Sequence, residues 1–137
     1  MTGKLYLLLL SLCLPYLNGQ SLESSPSSSV LKKLGETISL SCKISGFTFG
    51  SHNTHWIRQP AGKSLEWMGY SGLGLGYHAK RFEGRMETTK ANSNSMMTLK
   101  LSGLKAEDSA VYYCAREGGT GMAPDYWGKG TMVTVST

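Results

Sequence analysis

Period-two alternation constrains this chain more than any other feature. "TISLSCKI" (residues 37–44) puts Ile38, Leu40, Cys42 and Ile44 on one side of an extended segment. "MTLKLSGL" (97–104) puts Met97, Leu99 and Leu101 on one side and Thr98, Lys100 and Ser102 on the other. With "THWIRQ", "LEWMGY", "RMETTK", "AVYYCA" and "TMVTVS" the set reaches about eight or nine short strands, separated by Gly, Ser, Asn and Pro. No heptad, internal repeat or amphipathic helical period accompanies them. Evenly spaced short strands in so short a chain predict an all-β fold, an antiparallel sandwich or barrel. "SSPSSS" at 24–29 marks a kinked, exposed edge strand.

The first nineteen residues are of another kind. Lys4 supplies a basic start, "LYLLLLSLCL" an apolar run, and Pro15 breaks it before "YLNG". Residues 1–19 therefore read as a secretory signal peptide cut after Gly19, leaving 20–137 as the mature domain. An apolar run this short falls below the roughly 20 residues a membrane span needs. No other segment comes nearer, so direct membrane insertion is not expected. The product is secreted or held on the extracellular face of the plasma membrane. Cleavage removes Lys4 and Cys13, which lowers the net charge of +5 by one. Cys42 and Cys114 remain, and two cysteines in a secreted chain favour one structural disulfide over a metal site. Across a long loop such a bridge is worth roughly 4 kcal/mol in the chain-entropy view. The remaining basic charge is thinly spread, with only Lys32-Lys33 and Lys80-Arg81 adjacent. That pattern is a solvated surface rather than a nucleic-acid site.

Cys42 lies on one predicted strand, Trp56 follows fourteen residues later on another, and Cys114 ends "DSAVYYC" on a third. Tyr112, two residues before Cys114, shares its face. This constellation resembles an immunoglobulin variable domain, and the resemblance spans essentially all of 20–137. "WIRQPAGKSLEWMG", "LKAEDSAVYYCAR" and "WGKGTMVTVS" sharpen it to a heavy-chain variable domain, Trp127 being the heavy-chain form of the joining segment. The resemblance implies a V-type antiparallel β-sandwich of about nine strands with one disulfide between its sheets. It further implies that Trp56 covers the disulfide and that Tyr112 forms a tyrosine corner. Arg85 and Asp108 occupy the positions of an ion pair that closes the lower end. Thr88, the "QPAG" order and Leu34 depart from the common framework without threatening the fold.

Alternation also speaks about partners. If Trp56, Tyr112 and Cys114 point inward, Ile57 and Tyr113 point outward. By family analogy Leu65, Trp67 and Trp127 add apolar mass to that outer face, and Gln59 can pair its amide across an approximate two-fold. A sheet apolar on both faces predicts a covering partner. The resemblance names it as a light-chain variable domain. Single-domain antibodies tend to be polar where Leu65 and Trp67 stand.

The resemblance places antigen binding on three loops, 46–53, 70–77 and 115–126, presented on a rigid frame. His52, Asn53, Tyr70, Leu73, Leu75, Tyr77, Glu117, Thr120 and Met122 are the candidate contacts, and an Arg116–Asp125 salt bridge pins the base of the third loop. The antigen itself is unknown. Constant domains are expected downstream, and neither a cofactor nor catalysis is implied. "GLGLG" (72–76) lacks the helix and acidic residue of a nucleotide site and reads as loop geometry. His52, His55 and His78 lack the further ligands of a zinc site, although either of the first two can titrate near neutrality. Asn53, Asn92 and Asn94 all fail the glycosylation sequon. The rival reading is an immunoglobulin-like receptor or adhesion ectodomain with a fixed protein ligand. A patternless third loop and a "WGKG" joint argue against it.

Overall fold

The computed structural model describes residues 21–26, 29–45, 53–72, 75–91, 95–117 and 124–137; for Ser21, Ser71, Leu75, Lys90, Ala91, Pro124 and Asp125 it describes the backbone alone. The expected leader, residues 1–19, lies outside them. Eleven strands appear among the described residues: β1 Ser21–Ser25, β2 Val30–Lys33, β3 Ile38–Ser45, β4 Thr54–Pro60, β5 Glu66–Gly72, β6 Leu75–His78, β7 Met86–Ala91, β8 Met96–Leu101, β9 Ala110–Glu117, β10 Pro124–Trp127 and β11 Thr131–Ser136. One sheet has the order β1-β3-β8-β7; the other runs β2-β11-β9-β4-β5-β6, with β10 against β9. The count exceeds the expected eight or nine partly because the leading segment is two strands. It pairs with β3 as β1, turns at Pro26, and pairs with β11 as β2 in the opposite sheet. A proline cannot donate to a ladder, which suits the place where the chain leaves one sheet for the other.

The alternating stretches bury the residues that their period selects. Ile38, Leu40, Cys42 and Ile44 of β3 and Met97, Leu99 and Leu101 of β8 face Trp56, Met68, Phe82 and Tyr112 across the sandwich. Each such side chain contributes roughly 1.5–3 kcal/mol when removed from water. Cys42 and Cys114 form a disulfide between the sheets, with Cα atoms 6.4 Å apart. Trp56 is the register partner of Cys114 and is buried with it.

Strand register also places the connections. Thr54 lies opposite Arg116 on one side and Ser71 on the other. The chain entering β4, the turn from β5 to β6, and the segment leaving β9 therefore share one end of the sandwich. The turn after Pro60 and the residues preceding Ala110 share the other.

Candidate functional site

At the end away from these three connections, an ionic network closes the sandwich. Arg85 donates to Asp108, the pair expected there, and through Nε to the Ser102 carbonyl at 3.0 Å. Tyr112 donates its hydroxyl to the Asp108 carbonyl at 2.6 Å, which makes the corner. The centre of the network, however, is Arg58. Its Nη1 reaches Asp108 Oδ1 at 2.8 Å and Tyr112 Oη at 3.0 Å, its Nε reaches Glu66 at 2.6 Å, and its guanidinium lies 4.8 Å from the Phe82 ring centroid. Arg81 holds the second oxygen of Glu66. Sequence reasoning overlooked Arg58, yet a signal was there: it stands two residues after Trp56, hence on the inward face. A buried cation at such a position demands buried acceptors.

The charges tune one another. Burial alone would raise the Asp108 carboxyl, but Arg58, the Lys105 N–H and Arg85 outweigh it and hold the group below the ordinary carboxylate range. Burial disfavours charge on Arg58 as well; the bonds to Asp108, Glu66 and Tyr112 more than restore it. The Tyr112 phenol is pushed up by burial, against the pull of Arg58.

At the opposite end a second polar chain forms. His55 lies almost wholly buried, its Nε2 2.7 Å from Glu117 Oε2, and its Nδ1 accepts from the Trp67 indole N–H at 3.0 Å. Rings continue from it: Trp67, Tyr70 and Tyr77 lie with centroids 5.9–6.2 Å apart, Tyr77 stacked on both others. Tyr77 is 58% exposed, whereas Tyr70 is half-buried. Asn53 contributes its carbonyl to the Glu117 N–H.

Two expectations need correction. Glu117 was expected among the antigen contacts of the third loop, but it is only 6% exposed. β9 extends through Glu117, so its carboxylate lies over the sheet within reach of His55 rather than in a loop. Ile57 was expected on the exposed outer face, but it too is 6% exposed. It falls outside the central core cluster and sits between its register partners Trp67 and Tyr113, beneath the surface those aromatics form.

The other candidates are placed as follows. Leu65, Trp67 and Trp127 are 53%, 39% and 42% exposed, and Tyr113 packs edge-on against Trp127. Gln59 is exposed, its amide nitrogen donating to the Lys63 carbonyl. Arg116 is buried and donates to the Glu117 carbonyl; burial lowers its pKa against the raising influence of Glu117 and Tyr126. The side chain of Asp125, its expected partner, lies outside the described residues, as do those of His52, Leu73, Leu75, Thr120 and Met122. Among the described residues no three His, Cys, Asp or Glu side chains gather as a metal site.

Comparison with known proteins agrees with this geometry. Residues 25–136 match the family model of the immunoglobulin V-set domain. An immunoglobulin heavy chain V region of Xenopus laevis is 43% identical over 119 residues, covering 86% of this chain and 87% of that relative. The chain belongs to the immunoglobulin heavy-chain variable domains. Its two sheets and inter-sheet disulfide are those of the V-type sandwich. As a heavy-chain variable domain it has antigen recognition as its function, and nothing in these likenesses favours a receptor with a fixed ligand.

Proposed function

We propose that this heavy-chain variable domain binds antigen through residues 46–53, 70–77 and 115–126, at the end of the sandwich where β4 begins, β5 turns to β6 and β9 ends. It pairs, through the outer face of the larger sheet, with a light-chain variable domain. The pairing is carried by one observation: Leu65, Trp67 and Trp127 stay substantially exposed on a sheet whose inner face is already core. An apolar group of this kind on a secreted domain marks an interface. Residues 1–19 act as the secretory leader, the product is extracellular, and constant domains follow in the full chain. Tyr77 and its stacked neighbours supply rigid aromatic contact area for antigen. The domain binds and does not catalyse.

Co-expression with a light-chain variable domain tests the pairing. The wild-type chain should co-purify with it, and Leu65→Arg should abolish co-purification while leaving the melting curve of the chain unchanged. A wild-type chain that stays alone across a panel of light chains sinks the reading. Antigen binding is tested separately on an antigen array with the paired protein. Replacing residues 118–123 with a Gly-Ser segment of equal length should remove the signal and leave pairing intact.

A further inference from the structure

His55 joins two surfaces that the fold otherwise keeps apart. Glu117 is the last residue of β9 and the root of the third loop; Trp67 is an outer-face residue of β5. Both hold the same imidazole, one at each nitrogen. An indole N–H can only donate, so Nδ1 must present a lone pair to it. The neutral ring is therefore the Nε2–H tautomer, which donates to the Glu117 carboxylate. Both requirements are met at once, and only by that tautomer.

We propose that His55 is a positioning residue that locks Trp67 to the base of the third loop, and that a proton taken up at Nδ1 undoes only the Trp67 half of the lock. An imidazolium has donors at both nitrogens. Its Nε2–H bond to Glu117 becomes a charge-assisted one and tightens. Its Nδ1–H then points at the indole N–H, two donors without an acceptor, and Trp67 must turn away. The charged and titratable groups facing His55 come from the two strands beside it. From β9 it is Glu117, and from β5 it is Tyr70, whose ring centroid is 5.7 Å away; the buried Arg116 pairs with Thr54 and takes the opposite phase of β9. Arg58 and Glu66 are bonded to each other towards the far end of β4 and β5. Among the described residues Glu117 is thus the anion in direct contact with the ring, and it makes no bond to Trp67. The coupling belongs to this chain alone and does not depend on pairing.

Nitrogen-15 spectra of the labelled chain decide it. The chain has three tryptophans, so Trp67→Phe assigns the Trp67 indole resonance among three. The long-range nitrogen spectrum of the neutral His55 ring should show protonated Nε2 and bare Nδ1. On acidification the Trp67 indole resonance should move with the same midpoint as the His55 ring proton. Its exchange with water should become roughly tenfold faster than in His55→Gln at equal pH, as expected for one lost hydrogen bond. His55→Gln offers an acceptor and a donor but does not titrate, so its Trp67 signal should stay put with pH. A bare Nε2 in the neutral ring overturns the proposal without any variant. So does a Trp67 signal that ignores the titration of His55, or one that moves with pH in His55→Gln, or a His55 that stays neutral until the chain unfolds.

Discussion

Arg58 and Asp108 show how one buried charge recruits others. Asp108 has no exposed surface, and two arginines and a backbone N–H share its carboxylate. Removing it leaves Arg58 buried without its main counter-ion, so Asp108→Ala should lose about 3–5 kcal/mol of stability by urea unfolding. A loss below 1 kcal/mol would mean that Glu66 and Tyr112 suffice. The same group sets an acid limit. Its folded pKa lies below its unfolded one, so its contribution is complete above the ordinary Asp range and is lost as pH falls through the lowered folded value. Asp108→Asn should therefore be weaker at neutral pH and show a flatter decline in stability below about pH 4. Parallel acid limbs for the two proteins would assign the acid sensitivity to another carboxylate. Among single residues, Cys42, Trp56, Tyr112 and Cys114 were legible because each sits at the inward phase of an alternating strand. Glu117 was not: a carboxylate beside a glycine run looks like solvent-facing loop, and only the pairing of β9 with β4 brings it to a histidine 62 positions away.

Between β5 and β6 a single glycine governs the aromatic group. A Cβ added at Gly69 would collide with the Tyr77 carbonyl oxygen and lie 2.9 Å from the His78 Cα, so the backbone of β6 would have to yield. Gly69→Ala should cost about 1–3 kcal/mol and loosen the strand that carries Tyr77. Hydrogen exchange would show this as faster amides in residues 75–78; unchanged protection there would contradict it. Strand existence was readable from period two alone, since packing on a single core enforces it. The sheet switch at Pro26 was not, because "SSPSSS" has no apolar phase to say which sheet each half joins. Ile57 exposes a similar limit. Alternation gave its face correctly as the one away from the core, but whether a face is open depends on the size of cross-strand neighbours. Here both neighbours are aromatic.

At the scale of the whole molecule, the chain carries an apolar face with little charge to guard it. Leu65, Trp67 and Trp127 are half open, and the net charge is only +5. Without a partner, the domain should self-associate: its weight-average mass in sedimentation equilibrium should climb with concentration, and Leu65→Arg should suppress the climb. A wild-type chain that stays monomeric at millimolar concentration would show the face to be adequately solvated. β2 runs parallel to β11, the last strand among the described residues. Tension applied to the two ends of the domain pulls β2 backward and β11 forward, so their hydrogen bonds are loaded together in shear instead of peeling one by one. Should they give way, the bond between Cys42 and Cys114 forbids the stretch between them from paying out. A domain pulled at its two ends can thus lengthen only by the segments before Cys42 and after Cys114, while the braced middle keeps its shape under load.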